Sequence, residues 1–264
     1  MLDRAQVEQA LGSEHPFRLK VFEVVGSTND FLFEQALAGA PAWTVAIADR
    51  QTRGKGRMGR RWESPSGVGL WFSVLLRPKL TPQQLMQLNL VSCLAVAEAL
   101  ESFAHRQMKL PLTLQLKWPN DVYLAERKLS GILLQSHFEG SALRFLVLGI
   151  GVNVNQTREQ FPQQLRETAI SLRMATGRVW PREVLFATVL KALYARLNRF
   201  EAGELGHWRE AYLERVLYLN QTVHIQTRKQ RLSGQFVGIT REGFLILRGR
   251  DGDQIITAGD VLIL

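Results

Sequence analysis

The chain has 264 residues, 46% hydrophobic and 22% charged, which excludes a disordered or fibrous protein and suits one large domain plus a small one. Its net charge of +9 favours an acidic partner, but the cations are spread along the chain and do not choose between nucleic acid, acidic protein and phosphates. A single cysteine, Cys93, rules out an internal disulfide; with no signal-peptide pattern and no apolar run near the roughly 18 residues of a membrane span, a cytoplasmic protein with no membrane partner is expected.

Residues Asp3 to Leu11 read as a short helix. Phe17 to Val25 is β-branched and aromatic with partial alternation, so a strand is expected. Gly26-Ser-Thr-Asn29 stops it. Ser27 or Thr28 can cap a helix over Asn29–Leu37, and their hydroxyls and the Asn29 amide can equally face a small polar ligand at that helix N-terminus. Trp43 to Ala48 is the next strand.

A basic loop follows, Gln51-Thr-Arg-Gly-Lys-Gly-Arg-Met-Gly-Arg-Arg-Trp62. It carries three glycines (Gly54, Gly56, Gly59) and five cations (Arg53, Lys55, Arg57, Arg60, Arg61). Glycines let a ligand approach the backbone, and the cations beside them suit phosphate or carboxylate. The glycine spacing matches a dinucleotide fingerprint, but the helix that should open there is replaced by a polar stretch broken by Pro65, and the required acid is missing. A P-loop is excluded because Arg60 and Arg61 follow Gly59. Alone, the loop reads equally as a solvated basic turn.

Gly69 to Leu76 reads as a buried strand. Thr81-Pro82 resembles an N-cap with proline at the first helical position, opening a helix to about His105. Leu112 to Lys117 reads as a strand running into the turn Trp118-Pro-Asn-Asp121. Val122–Leu124 and Lys128–Phe138 predict a hairpin, and Leu143 to Asn155 holds another buried strand. Val184 to Phe200 has helical spacing, and a second helix is expected over Leu205–Val216. From Leu219 the text becomes short strands at 222–227, 231–239, 244–248, 254–257 and 260–264, the pattern of a small barrel. The boundary falls near Tyr218, giving domains 1–217 and 218–264. The fold expected is α+β: a mixed, mostly antiparallel sheet with helices, then the barrel.

Several residues of site chemistry stand at strand ends: Lys117, Asn120, Asp121, Lys128 and Asn153. A buried lysine is costly unless paired, so Lys117 must reach solvent or serve a ligand. The five histidines have no ligand spacing, and neither a thiol nor a serine nucleophile motif is present. A nucleic-acid binder would need exposed aromatics in the barrel, which offers only Phe236 and Phe244 in apolar strands.

Gly26-Ser-Thr-Asn29, the basic loop, Lys117-Trp-Pro-Asn-Asp121, Arg127-Lys-Leu-Ser-Gly131 and Gly149-Ile-Gly-Val-Asn153 occur together and in order. This set resembles the biotin protein ligases over nearly the whole chain. The resemblance implies a class II synthetase-like catalytic domain, a C-terminal SH3-like barrel, ATP and biotin as substrates with Mg²⁺, and a carboxylase's biotin carboxyl carrier domain as acceptor. It implies biotin contacts from Ser27, Thr28, Asn29, Gln51, Gly54, Lys55, Gly56, Arg57, Lys128 and Gly131. Arg60, Trp62, Lys117, Asn120 and Asn153 would face the nucleotide, and Arg57, Lys117 and Lys128 the reacting groups. Asp121 either helps hold Mg²⁺ indirectly or caps the turn. Lipoate or octanoyl attachment is the sister activity, with different loop motifs. Two departures stand out: Lys55 where the family often has arginine, and Met58 where a cation is common. Only 16 residues precede the first core strand, so no operator binding is expected, and the protein is expected to be a monomer or homodimer.

Overall fold

The computed structural model describes residues 2–204 and 206–262. Helix α1 (Arg4–Leu11) is capped by Asp3, whose carboxylate accepts from the N–H groups of Ala5 and Gln6. Then come β1 (Arg18–Val25), α2 (Thr28–Leu37), β2 (Thr44–Gln51), β3 (Gly69–Leu76) and the long helix α3 (Gln84–Phe103). Strands β4 (Gln115–Lys117), β5 (Asp121–Leu124), β6 (Arg127–Glu139) and β7 (Ala142–Asn153) follow, then helices α4 (Leu172–Thr176), α5 (Arg182–Glu201) and α6 (Trp208–Leu213). Five short strands close the chain: β8 (Thr222–Gln226), β9 (Arg231–Ile239), β10 (Leu245–Gly249), β11 (Gly252–Ile256) and β12 (Asp260–Leu262).

The first seven strands form one sheet in the order β1-β2-β3-β7-β6-β5-β4. Only β1 and β2 run parallel; every other pair is antiparallel, so the sheet is the mixed one expected. The last five strands form an all-antiparallel sheet, β11-β10-β9-β8-β12. The turn between β5 and β6 places Ala125 and Glu126 at φ 47° and 59°, the paired positive φ of a two-residue hairpin turn.

Strand periodicity assigns each face its cover. Val45, Ile47, Phe72, Val74, Leu148 and Ile150 point into the main core, shared with the buried faces of α3 and α5. Ala46, Leu75, Phe145 and Val147 point the other way, into a small cluster with Leu32 and Ala36 of α2. Helix α3 with its continuation to Met108 is long and apolar enough to cross a membrane by composition, but it is the core helix, largely buried inside the protein.

Several boundaries differ from those expected. The regular part of α3 begins at Gln84, after a tight turn in which the Gln84 N–H donates to Thr81 O (3.0 Å) and the Gln84 carboxamide accepts from the Thr81 N–H and hydroxyl. Leu112–Leu114 lie outside β4, with the Leu114 N–H donating to Glu101 Oε1 (2.7 Å) instead of to a strand. Helix α6 is shorter than expected, and Leu205 lies outside the described residues, as do Ile263 and Leu264 of the last strand. Between β7 and α5 the chain folds into two 3₁₀ turns and α4, where the sequence shows no clear period.

Candidate functional site

Three glycines make the site. Gly149 pairs with both Leu133 and Ser73, and Gly151 with both Gly131 and Trp71, so Gly131, Gly149 and Gly151 share one face on neighbouring strands. That face is the one α2 covers further along. With no side chains on these residues, the sheet is left with a hollow beside α2. Added methyls would collide: at Gly149 with Asn29 Oδ1 at 2.0 Å, at Gly151 with the Trp62 indole at 2.4 Å. The hollow opens into a cavity of about 240 Å³.

One end of the cavity is neutral and polar. Ser27 caps α2 through its hydroxyl, and Ser27, Thr28 and Asn29 are all buried. The Thr28 N–H donates to Gln51 Oε1 (2.8 Å), and the Thr28 hydroxyl bonds the Ser73 hydroxyl (2.7 Å). Ser73 donates to Asn29 Oδ1 (2.6 Å), and Asn29 Nδ2 donates to Gln135 Oε1 (2.8 Å). A buried network in which each member holds the next fixes donor and acceptor directions, and that selects a ligand by shape and hydrogen bonding.

The other end is the basic loop, joining β2 to β3. It is a small hairpin of its own: the Gly56 N–H donates to Arg60 O (2.7 Å) and the Trp62 N–H to Gly54 O (3.0 Å). Met58 (φ 55°) and Gly59 (φ 76°) make its tip. Lys55 pairs with Asp30 in the first turn of α2. Arg57 Nη1 donates to Asn120 Oδ1 and to Asp260 Oδ1, both at 3.0 Å, and Nη2 donates to Gly259 O at 3.3 Å. Burial pulls the Arg57 guanidinium below its ordinary range, with Asp260 and Asp121 opposing the shift.

The sheet supplies the last cation of the wall. Lys128, at the start of β6, lies over the Trp62 ring (5.3 Å to its centroid) and 2.7 Å from Asp121 Oδ1, an ion pair that misses hydrogen-bond alignment. Trp62 packs on the floor made by Gly131 and Gly151, edge-on to Trp71, with its Nε1–H buried and without a partner among the described residues. The Lys128 N–H donates to Thr168 O (2.8 Å) and Lys128 O accepts from Ile170 (3.0 Å), which ties the irregular segment after β7 to the start of β6. That segment closes the cavity with Phe161, Leu165, Thr168 and Ala169.

Thirteen residues singled out from the sequence meet on the cavity wall: Ser27, Thr28, Asn29, Gln51, Lys55, Gly56, Arg57, Arg60, Trp62, Asn120, Lys128, Gly131 and Asn153. Three do not. Gly54 lies behind the wall, where any side chain would strike Trp62 O at 2.4 Å. Lys117 turns its ammonium to the Tyr123 hydroxyl (3.3 Å) and over that ring, and burial pulls its pKa down while Asp121 opposes. Asp121 stands behind Lys128. Sequence reading missed Ser73 and Gln135, ordinary-looking strand residues, and Asp260, which lies in the other sheet. It also passed over the segment 161–169, which has no periodic signal.

The profile of the Biotin/lipoate A/B protein ligase family matches residues 21–153, and that of the Biotin protein ligase C terminal domain matches residues 218–264. The chain is 32% identical over 239 residues to the bifunctional ligase/repressor BirA of Bacillus spizizenii, covering 90% of this chain and 72% of that one. It is 33% identical to the biotin–[acetyl-CoA-carboxylase] ligase of Paracoccus denitrificans over 83% of this chain and 89% of that one. The structure of the biotin protein ligase from Aquifex aeolicus in complex with biotin and ATP superposes with a TM-score of 0.76 at 34% identity, covering 92% of this chain and 97% of that one.

Proposed function

The chain belongs to the biotin/lipoate A/B protein ligase family, and from that premise we propose how its cavity carries out ATP-dependent attachment of biotin to a carboxylase's carrier domain. One observation carries the reading: a neutral, fully hydrogen-bonded pocket and a cluster of cations share a single cavity over a glycine floor. Biotin offers an uncharged ring system and a carboxylate, and ATP offers phosphates, so the two ends of the cavity match the two substrates.

The neutral end, with Thr28, Asn29 and Gln51 on its wall, holds the biotin rings, and the glycine hollow leaves room for them. The carboxylate then points toward Lys55, Arg57 and Lys128. A carboxylate oxygen attacks the α-phosphorus, a phosphorus–oxygen bond forms, and the bond to the bridging oxygen breaks to release pyrophosphate. Both reactants are anions, so fixed cations lower the repulsion and stabilise charge growing at phosphorus. In the second step a carrier lysine amine attacks the acyl carbon, and the acyl–oxygen bond breaks to release AMP. Arg60, Trp62, Asn120 and Asn153 face the nucleotide. Gly54 and Gly131 act through the space they leave, and Lys117 adds positive potential from outside the wall. Residues 1–217 are the catalytic part and 218–264 the second domain.

The donor set does not build a metal site: among the described residues there is no group of three or more acidic, histidine or cysteine ligands, and the Asp121 carboxylate is occupied by Lys128. Mg²⁺ therefore enters as the counter-ion of ATP, and Asp121 serves to place Lys128.

The test is exchange of labelled pyrophosphate into ATP by purified protein without carrier. Exchange supported by biotin, and not by lipoate or octanoate, is expected. Exchange with lipoate alone would assign the sister activity, and none with any acid, in folded protein, would remove adenylation.

A further inference from the structure

The second sheet reaches into the site at one point. Asp260 begins β12, and its backbone is paired with Gln226 of β8. Its two carboxylate oxygens serve different arginines of the basic loop: Oδ1 accepts from Arg57 Nη1 at 3.0 Å, and Oδ2 accepts from Arg60 Nη2. The neighbouring Gly259 O takes Arg57 Nη2. Asp260 and Arg57 are each only 21% exposed, whereas Arg60 is 60% exposed. Among the described residues Arg57 donates from Nη1 and Nη2, and Arg60 from Nε to Arg57 O and from Nη2, which leaves Arg57 Nε and Arg60 Nη1 without a partner there while both residues line the cavity.

We propose that Asp260 is a positioning residue: from the C-terminal sheet it grips both guanidiniums from behind, holds the basic loop closed, and leaves their remaining N–H groups free for the nucleotide phosphate. A glycine-containing loop has many conformations to lose, and a single carboxylate shared by two arginines three residues apart removes most of them at once. The C-terminal domain thereby helps build the active site without touching substrate. An arginine fixed before the phosphate arrives needs no reorganisation when charge develops.

The first readout needs no substrate. Amide hydrogen exchange is followed at Gly56 and Trp62, whose N–H groups close the loop hairpin, in ligand-free wild type and Asp260→Asn. About tenfold faster exchange is expected in the variant, the scale of one partly exposed charge-assisted contact, with Asp260→Glu near wild type. Unchanged exchange would overturn the proposal. Should Asp260→Asn fail to fold, Arg60→Gln cuts the clasp from its exposed side and must show the same acceleration.

The second readout rests on the biotinyl-adenylate reading given above. Dissociation of preformed adenylate should be about tenfold faster in Asp260→Asn, and Asp260→Asn should add nothing in an Arg57→Gln/Arg60→Gln background, because the clasp acts only through those residues. Additive losses would reject it. If pyrophosphate exchange fails while amide exchange responds, the clasp stands and the ligase reading falls.

Discussion

The two ends of the basic loop are held by different physics. At the base, Asp49 on β2 and Ser66 just beyond the loop are joined by a hydrogen bond, and Arg182 of α5 closes on Asp49 with both Nη atoms at 3.0 Å. Asp49 is 2% and Arg182 8% exposed, and Arg182 also donates to Gly69 O (3.2 Å) at the start of β3. Gln51 binds Ser64 across the same neck (2.9 Å). Toward the tip, Lys55–Asp30 is an ion pair open to water, and Arg60 meets the half-buried Asp260 from its exposed side. Buried pairs resist salt and cannot be broken singly without stranding a charge; open pairs exchange readily with solvent or with another anion. A fixed base and a releasable tip are what a loop needs if it must cover an anionic ligand and later let it go.

The largest break comes at the base. Asp49→Asn leaves the Arg182 guanidinium buried without a counter-charge, and a loss of about 3–5 kcal/mol in unfolding free energy is expected from urea titration at neutral pH. The acid side sharpens the test. Burial alone would raise the Asp49 pKa, but the Ser66 hydroxyl and Arg182 outweigh it and hold the carboxyl below its ordinary 3.8. A depressed carboxyl contributes stability that is fully present above the unfolded value and is lost as pH falls through the lower folded value. Urea midpoints of the wild type should therefore fall as the pH drops below about 4, and that component of the fall should be absent from Asp49→Asn. An equal acid response in both proteins would mean that Asp49 carries none of the linkage.

A middle-sized break lies at the neck. A methyl group at Gly54 would meet Trp62 O at 2.4 Å and the Ser64 hydroxyl at 2.8 Å, and the first of these is backbone that cannot turn aside. Gly54→Ala should cost about 1–3 kcal/mol. It should also lift Trp62 from its glycine floor, read as a change in tryptophan fluorescence. A variant with wild-type stability and emission would show the neck to be looser than its contacts imply.

The base–tip contrast was only half legible in the chain. The tip announces itself, since glycines alternating with cations have few structural reasons to occur together, and the strand-end residues Asn120, Lys128 and Asn153 gather where strand periodicity and turn chemistry put them. The base does not, because Asp49 and Arg182 lie 133 residues apart and nothing local to either predicts the pairing. Asp260 was hidden for the same reason, 203 residues from Arg57. Most strands were readable from β-branched runs between turns, with β3 and β9 matching to the residue. The segment 157–179 was silent because 3₁₀ turns and a five-residue helix have no apolar period long enough to count. Ser73 reads as one more residue of a buried strand, and its part in the polar network appears only when Gly149 and α2 are placed beside it.

The smallest expected effect is at the tip, and it decides whether the contrast is real. Lys55 and Asp30 are 42% and 37% exposed in their side chains, so their attraction is screened and each side chain loses rotamer freedom to make it. Lys55→Ala should change unfolding free energy by less than about 1 kcal/mol, and the difference should vanish in about 1 M salt, where the screening length shrinks to a few ångströms. Biotin affinity should nevertheless fall, because Lys55 lies on the cavity wall and, in the function proposed above, its charge serves the biotin carboxylate. A stability loss of several kcal/mol that persists in salt would place Lys55 with Asp49 as part of the scaffold, and the loop would then be fixed at both ends, with no element left to open.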